Sequence, residues 1–464
     1  MKTSLILFFT FLLQFTLNAQ EIVGQWNGVL KVSGAQLSLV FHITKTTDGF
    51  NSTMDSPDQK AFGIPITKTS FENSKIKFEI TNANIEYNGE LKENEITGFF
   101  KQNGQEFPLN LSRNAIEKQT PKRPQEPVKP YPYYEEEVVF QNPNAGISLA
   151  GTLTLPKKEG VFPAVILISG SGAQNRDEEL MGHKPFLVIA DYLTRNGIAV
   201  LRFDDRGVGQ STGNFKTATT ADFATDVTSA LTYLKTRKEI NSQKIGLIGH
   251  SEGGIIAPMI AAQSNTVNFI ILLAGTGIPG NELMLLQQVQ IAKVNGATEA
   301  EIQKGIQPTR KLYDLIVNSK DPEKLKSDLA IEINQALNNP DAKLPNDISK
   351  EQYISSKINI LTSPWIQYFL KYNPATALEK VKCPVLALNG EKDVQVPPKE
   401  NLPAIKNALE KAGNKNITTI VFPNLNHLFQ ECETGSPEEY ATIEQTFSPI
   451  ALEEMLKWIK LQTK

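Results

Sequence analysis

The beginning of the chain alternates apolar and polar residues in short runs. Residues 29–32, 36–43, 75–80 and 95–100 show this period of two, which is typical of strands with one buried face. Turn dipeptides such as Asp48-Gly49 and Asn88-Gly89 lie between such runs. Residues 20–113 are therefore predicted to form a small antiparallel β domain without helices, either a sandwich or a barrel.

From about residue 133 the pattern changes to apolar runs that alternate with helical segments. Residues 136–140 and 147–155 indicate an antiparallel hairpin at the start of this region. Uninterrupted apolar runs follow at residues 164–168, 198–203, 245–248, 269–273, 385–388 and 418–422. Helical segments lie at residues 184–196, 220–237, 254–263, 400–412 and 442–460. This alternation predicts an α/β domain over residues 136–464, with a mostly parallel sheet covered on both faces.

One connection in this domain is unusually long, because about 100 residues separate the runs that end at Leu273 and begin at Val385. Residues 281–295, 299–317, 321–336 and 351–361 have helical patterns, so a helical cap is predicted over about residues 277–375. Four aromatic residues near its end are expected either to line an acyl pocket or to form the core of the cap: Trp365, Tyr368, Phe369 and Tyr372.

Proline-rich sequence joins the two predicted domains. Residues 114–135 contain five prolines among charged residues, which favours a stiff, extended linker that packs on its neighbour.

The N-terminus has the pattern of an export signal. Lys2 precedes an apolar stretch at residues 5–17, and Leu17-Asn-Ala19 then predicts cleavage after Ala19. The stretch holds about 13 residues, fewer than the roughly 20 that span a bilayer. We therefore expect residues 1–19 to be a signal peptide and the mature protein to be periplasmic or secreted, with no membrane span.

Charge and cysteine content limit the partners. The formal net charge of -3 provides no basic field, which argues against nucleic acid as a partner. Cys383 and Cys432 are the only cysteines. They are predicted at opposite edges of the sheet, too far apart for a disulfide, so we expect two unpaired, buried thiols.

The motif Gly249-His-Ser-Glu-Gly253 indicates nucleophilic catalysis. A serine hydroxyl needs an adjacent base and an exposed position, and a sharp turn between a strand and a helix provides that exposure. Ser251 has an apolar run directly before it and a small-residue helical segment directly after it. Gly209-Gln-Ser-Thr-Gly213 matches the same pattern but lies in a polar loop, so Ser211 is interpreted as an ordinary loop serine.

A base and an acid follow in the order expected for a Ser-Asp-His triad. The chain has four histidines, at positions 42, 183, 250 and 427. His427 follows the last apolar run, at the carboxyl edge where α/β sheets bind ligands. Asp393 follows the preceding run and is the candidate acid. Rival acids are Glu391, Asp204 and Asp205, of which the last two are expected to form a structural ion pair with Arg206.

Acyl transfer also needs two N–H donors for the oxyanion. The backbone N–H of Glu252 follows the nucleophile, and the open Ser169-Gly-Ser-Gly172 loop favours the N–H of Ser171 as the second donor. No Gly-Lys-Ser or Gly-Lys-Thr follows this loop, which excludes a P-loop. We expect neither a cofactor nor a metal, and His42 has no cluster of ligands nearby in the sequence.

These residues together resemble the α/β-hydrolase superfamily, and within it the exported bacterial esterases and serine aminopeptidase-like hydrolases. The matching segments are residues 168–172 with 176–178, 203–211, 249–254, 389–393 and 426–427. The resemblance covers about residues 136–464 and implies the fold, the triad and an acyl substrate.

The expected function is that of a serine hydrolase that cleaves small carboxylic esters through an acyl-enzyme. A serine peptidase that cleaves amides is the alternative within the same chemistry. The hypothesis of a different class is that the N-terminal β domain is a binding module.

Overall fold

The computed structural model describes residues 22–464, apart from 33–34, 60, 103–104, 116–121, 339–343, 345–347 and 412. The predicted signal peptide lies outside the described residues. The chain divides into one unit built from residues up to 119 and a second built from residues 120–344 and 348–464.

The first unit is one continuous antiparallel sheet. Its strands are β1 Gly24–Val32, β2 Ala35–Thr46, β3 Gly49–Ser56, β4 Ala61–Pro65, β5 Lys68–Glu72, β6 Lys75–Ile80, β7 Ile85–Lys92, β8 Glu95–Gln102, β9 Gln105–Pro108 and β10 Leu111–Ser112. They are ordered β4-β3-β2-β1-β10-β8-β7-β6-β5, with β9 paired to β8. The small all-β domain is thereby confirmed, as a single curled sheet. The expectation that it contains no helix is wrong, because two short 3-10 helices, Pro57–Gln59 and Thr81–Ala83, lie between its strands.

Alternate residues of these strands fill the interior of the curl. Strand β8, for example, buries every second side chain from Ile96 to Phe100. Phe41 stacks on Phe78 with ring centroids 4.9 Å apart, and the buried Trp26 donates from Nε1 to the carbonyl of Ile22 at 2.8 Å. The alternation of apolar and polar residues therefore separates an aromatic core from a solvent face.

The second unit contains an eight-stranded sheet. Its strands are β11 Tyr134–Asn142, β12 Ile147–Leu155, β13 Phe162–Ile168, β14 Ala199–Phe203, β15 Ile240–His250, β16 Phe269–Leu273, β17 Val385–Gly390 and β18 Ile417–Phe422. They are ordered β11-β12-β14-β13-β15-β16-β17-β18. The hairpin β11–β12 and the pair β12–β14 are antiparallel, and the other pairs are parallel.

Helices cover both faces of this sheet. The helices of the second unit, including those of the cap, are α1 Pro185–Arg195, α2 Thr220–Thr236, α3 Gly253–Ala261, α4 Gly280–Val294, α5 Glu299–Asn318, α6 Pro322–Leu337, α7 Lys350–Leu361, α8 Pro364–Lys371, α9 Ala375–Leu378, α10 Pro398–Lys411 and α11 Pro449–Gln462. Apolar side chains of α2, α3 and α10 pack on one face, and those of α1 and α11 pack on the other. This confirms the mostly parallel, doubly covered sheet.

Helices α4 to α9 form the insertion between β16 and β17. Side-chain caps begin several of them: Thr298 and Ser349 form capping boxes, and Asp321 and Ser363 accept from amides of the first turn. Helix α8 lies outside the four helical patterns predicted for the cap, although Ser363 and Pro364 provide a strong start signal.

The final helix begins later than the sequence pattern predicts. The amides of Thr446 and Phe447 donate to Gln125 Oε1 at 2.6 and 3.0 Å, and the amide of Ser448 donates to the carbonyl of Phe429 at 2.8 Å. These partners hold the segment in an irregular path, so the helix starts at Pro449 rather than at residue 442.

Part of the proline-rich segment packs on the second unit. Arg123 donates to the carbonyls of Met181, Gly182, Ala441 and Ile443 at distances from 2.6 to 3.2 Å. Residues 122–125 are therefore attached to the same irregular segment that precedes α11. No helix among the described residues is long and apolar enough to cross a membrane.

Candidate active site

Ser251 lies in a strained turn between β15 and α3. Its φ is 51°, in the left-handed region that non-glycine residues seldom adopt, and its amide donates to the carbonyl of Leu273 at 2.9 Å. A Cβ at position 249 would lie 2.0 Å from the carbonyl oxygen of Gly253, and one at position 253 would lie 2.2 Å from that of Ile168. The flanking glycines are therefore required because strand, turn and helix approach so closely.

Asp393 and His427 are joined at the carboxyl edge of the same sheet. Asp393 follows β17, His427 follows β18, and His427 Nδ1 lies 2.9 Å from Asp393 Oδ2. Both side chains are buried, with exposed fractions of 6% for His427 and 0% for Asp393. The structure thus brings the predicted base and acid together, in a geometry that fixes the histidine ring.

Asp393 is held by four donors. Its Oδ1 accepts from the amides of Gln395 and Val396 at 2.9 and 2.8 Å, and its Oδ2 accepts from Asn389 Nδ2 at 3.2 Å as well as from His427. An ionised carboxylate only accepts hydrogen bonds, so this set of donors suits the charged form. Nδ1 of His427 then carries a hydrogen, and its Nε2 is left to act as a base.

Within the described part of the chain no hydrogen bond joins Ser251 Oγ to His427. The connection runs through His250, whose ring centroid lies 4.8 Å from that of His427. His250 Nε2 is 3.0 Å from the carbonyl oxygen of His427, and its Nδ1 is 2.9 Å from Glu178 Oε1.

The loop after β13 approaches Ser251. A Cβ at Gly170 would lie 3.2 Å from Ser251 Cβ. The amide of Gly170 donates to Glu178 Oε1 at 2.6 Å, whereas the amides of Ser171 and Glu252 have no hydrogen-bond partner among the described residues. Both predicted oxyanion donors are therefore unoccupied by other protein groups.

Asp205 accepts two hydrogen bonds from this loop. Its Oδ1 accepts from Ser169 Oγ at 2.9 Å and its Oδ2 accepts from the amide of Gln174 at 3.0 Å. Burial raises the pKa of Asp205 to about 8, although both donors oppose the shift. The side chain therefore shapes the loop rather than pairing with an arginine.

Glu252 has a second attachment through its side chain. Its Oε1 accepts from Thr220 Oγ1 at 2.6 Å and from Trp365 Nε1 at 2.8 Å. Burial raises the pKa of Glu252, and these two hydrogen bonds oppose the shift. Because Trp365 belongs to α8, this carboxyl group links the cap to the turn that carries Ser251.

The aromatic residues of α8 divide between packing and the site. Phe369 is buried against Ile255 and Val396, and Trp365 stacks on Phe369 with centroids 5.0 Å apart. Phe369 is thus a core residue between the cap and the sheet. This agrees with the expectation of packing rather than with that of a pocket lining. Trp365 contacts the turn that carries Ser251, because its Nε1 donates to Glu252 Oε1.

The predicted ion pair between Arg206 and the preceding aspartates is wrong. Arg206 binds Asp226 on α2, with Nε and Nη2 at 2.7 and 2.9 Å from its carboxylate oxygens. Asp204 is bound instead by Arg176, with Nε and Nη2 at 3.1 and 2.9 Å. These partners are distant in sequence, so the neighbouring charges in Asp-Asp-Arg were a misleading guide.

The remaining rivals have structural contacts. Ser211 Oγ donates to the carbonyl of Asp204 at 2.7 Å and accepts from the amide of Ala150, which uses its hydroxyl inside the loop. Glu391 accepts from the amide of Asn424 at 3.2 Å and is exposed. His183 is fully buried and lies 2.8 Å from the carbonyl of Tyr440.

His42 and the cysteines depart in part from expectation. His42 Nε2 lies 3.0 Å from Asp55 Oδ2, a carboxylate on the neighbouring strand that sequence distance concealed. No group of three His, Cys, Asp or Glu residues among those described has the arrangement of a metal site. Both cysteines are unpaired, as expected, but they are half-buried rather than buried.

Sequence reasoning missed the roles of His250 and Glu178. The sequence pattern favoured His427 as the base and indicated no contact for His250. The side chain of His250 faces Glu178, which lies 72 positions earlier. A polar residue at the end of an otherwise apolar strand was the available signal.

Family models match two parts of the second unit. The family described as Serine aminopeptidase, S33 matches residues 184–334, and the Prolyl oligopeptidase family matches residues 348–448. Together with the strand order and the turn at Ser251, these matches show that the second unit has the α/β-hydrolase fold and is similar to hydrolases of these two families. The second unit is called the hydrolase domain below.

Relatives of the hydrolase domain include an esterase. Esterase EstD of Thermotoga maritima is 27% identical over 314 residues, which are 67% of this chain and 65% of EstD. The chain therefore spans slightly less than two thirds of that relative. An Escherichia coli protein described as an uncharacterized 31.7 kDa protein in the traX-finO intergenic region is 27% identical over 262 residues, 55% of this chain and 80% of that protein. Among solved structures, the Pyrococcus furiosus esterase Pf2001 has 15% identity, covers 72% of this chain and 94% of its own, and has a TM-score of 0.43.

Proposed function

We propose that this protein is a serine hydrolase that cleaves small carboxylic esters through an acyl-enzyme intermediate. The observation that carries the proposal is the buried Asp393–His427 pair, which leaves Nε2 of the ring free beside the strained serine turn. The similarity to an esterase, EstD, supports the choice of ester chemistry.

In the proposed mechanism Ser251 Oγ attacks the acyl carbonyl while its proton passes to His427 Nε2. Asp393 stabilises the resulting imidazolium through Nδ1. The N–H groups of Glu252 and Ser171 donate to the oxyanion of the tetrahedral intermediate. Collapse of the intermediate breaks the bond to the alcohol, which leaves with the proton from His427.

Deacylation repeats these steps with water. His427 Nε2 takes a proton from water as the oxygen attacks the acyl-enzyme, and the second tetrahedral intermediate expels Ser251 Oγ, which regains the proton. The products are the carboxylic acid and free enzyme, so proton and charge balance over the cycle and no cofactor is needed.

A serine peptidase is the second candidate, because both matched family models describe peptidases. The same triad cleaves amides when the leaving amine is protonated by the histidine. An assay of p-nitrophenyl acetate and butyrate beside aminoacyl p-nitroanilides separates the two. The ester proposal predicts a higher kcat/KM on the esters, and a higher value on the anilides contradicts it.

The serine assignment has its own test. Ser251→Ala is expected to lose ester hydrolysis. Ser211→Ala is the control and, when folded, is expected to keep this activity. Residual activity of Ser251→Ala close to that of the intact protein refutes the proposed nucleophile.

We further propose that residues 1–19 direct export and that the N-terminal β domain binds a partner. Expression in a bacterium and N-terminal sequencing of the periplasmic fraction tests export, with Gln20 expected as the first residue. A binding role for the β domain predicts that a chain beginning at residue 120 hydrolyses small esters but no longer binds a polymer or surface that retains the full chain.

A further inference from the structure

His250 occupies the junction of three catalytic segments. It is the last residue of β15 and directly precedes Ser251. Its Nε2 faces the backbone carbonyl of His427 at 3.0 Å, and its Nδ1 faces Glu178 Oε1 at 2.9 Å. The same carboxylate oxygen accepts from the amide of Gly170 at 2.6 Å. One side chain and its carboxylate partner therefore connect the nucleophile turn, the histidine loop and the oxyanion loop.

The hydrogen-bond valence of this junction determines where its protons lie. A backbone carbonyl only accepts, so Nε2 of His250 carries a hydrogen. An unprotonated Nδ1 and a carboxylate oxygen would both be acceptors, so the 2.9 Å contact between Nδ1 and Glu178 Oε1 holds one further proton between the two side chains. The pair is neutral in sum, and both members are buried. Burial disfavours a charge on His250, but the Glu178 carboxylate outweighs it and holds the pKa of His250 above its ordinary value.

We propose that His250, paired with Glu178, is a positioning residue that fixes the backbone of His427 and the loop at Gly170 relative to Ser251. The side chain of His427 is oriented by Asp393, but that contact fixes only one end of the residue. The hydrogen bond from His250 Nε2 fixes the other end, at the main-chain carbonyl. This inference rests on the proposed function, because it gives His250 a role in serine hydrolysis.

Two substitutions separate the two contacts of His250. Glutamine places its terminal amide near the position of Nε2 and can still donate to the carbonyl of His427. Asparagine is shorter, places its amide near the position of Nδ1 and can still meet Glu178. His250→Gln therefore keeps the contact with the histidine loop, and His250→Asn loses it.

The kinetic test compares these variants in the full chain with p-nitrophenyl acetate. His250→Asn is expected to lower kcat about 10²-fold, the scale of a 1 Å misplacement of a catalytic group, with little change in KM. His250→Gln is expected to restore most of kcat. Equal loss of kcat in both variants, or no loss in His250→Asn, overturns the positioning role.

Hydrogen exchange provides a measurement that does not depend on activity. The amides of residues 425–428 are expected to exchange faster in His250→Asn than in His250→Gln, because only the first variant frees the carbonyl of His427. Equal exchange overturns the proposal. Absence of ester hydrolysis and of fluorophosphonate labelling in the unsubstituted protein would instead refute the proposed function, and the exchange comparison would still decide the structural role of His250.

A second pair of variants covers the case in which His250→Asn does not fold. Glu178→Gln keeps an acceptor for the amide of Gly170, whereas Glu178→Ala removes it. The proposal predicts slower fluorophosphonate labelling in Glu178→Ala than in Glu178→Gln. Equal labelling rates in the two folded variants contradict it.

Discussion

Glu252 follows the proposed nucleophile, and its backbone rather than its carboxyl group is proposed to act in catalysis. Glu252→Gln tests this assignment, because glutamine keeps the backbone N–H and an Oε1 acceptor. Thr220 Oγ1 and Trp365 Nε1 both donate to that one oxygen, at 2.6 and 2.8 Å. We expect kcat of Glu252→Gln to stay within about threefold of the unsubstituted value, since loss of an oxyanion donor costs about 10²–10³.

Glu252→Ala is the contrasting variant. It also keeps the backbone N–H but leaves the Thr220 hydroxyl and the Trp365 indole without their acceptor. Each unsatisfied donor costs about 1–3 kcal/mol, so we expect the hydrolase domain to lose about 2–6 kcal/mol of stability. Trp365→Phe removes one of the two donors and serves as a matched control, with a smaller loss.

The assays are steady-state hydrolysis of p-nitrophenyl acetate and unfolding in guanidinium followed by fluorescence. The expected pattern is a stability loss in Glu252→Ala with kcat largely kept in Glu252→Gln. A fall of 10² or more in kcat for a folded Glu252→Gln would refute the reasoning, because it would place the carboxyl group in the reaction.

Three further outcomes follow from particular contacts. Arg123→Ala should speed hydrogen exchange of the amides of residues 441–447, because the side chains of Arg123 and Gln125 hydrogen-bond to the backbone of that segment. Unchanged exchange would show that the linker contacts do not hold the segment. The pKa of Asp205 is about 8 in the folded protein, above the ordinary value of 3.8. At pH values between these two, the folded state binds more protons than the unfolded state, so its stability falls as the pH rises towards 8. Asp205→Asn should flatten this decline in unfolding experiments at about pH 5 and about pH 8, and an equally steep decline would contradict the assignment. Burial raises the pKa of Cys383 to about 12 and that of Cys432 to about 11. A thiol reagent at about pH 8 should therefore react slowly with both cysteines until the protein is unfolded. Rapid reaction of the folded protein would contradict this expectation.

Local signals predicted much of the architecture. Fully apolar runs marked the parallel strands, and the four cap helices predicted between 281 and 361 match α4 to α7 within one residue at every end. Capping boxes at Thr298 and Ser349 explain the agreement at the starts of α5 and α7, because such helix starts are encoded within four consecutive residues. The candidate nucleophile, base and acid were found in the same way, from their places after strands.

Contacts between distant segments were beyond this reasoning. The late start of α11 depends on Gln125, more than 300 positions earlier in the chain, and the partner of Arg206 is an aspartate on α2. The role of His250 depends on Glu178 and on the carbonyl of His427, neither of which a local pattern reveals. Pairing of side chains across a fold is set by the packed geometry, which periodicity does not encode.

The central claim is that Ser251 is the nucleophile of a serine hydrolase. The most direct measurement is to label the full chain with a fluorophosphonate and to locate the adduct by peptide mass spectrometry, with Ser211→Ala and Ser251→Ala beside the unsubstituted protein. The account predicts a single adduct on Ser251, present in Ser211→Ala and absent from Ser251→Ala. An adduct on another residue, or labelling that persists in Ser251→Ala, would contradict it.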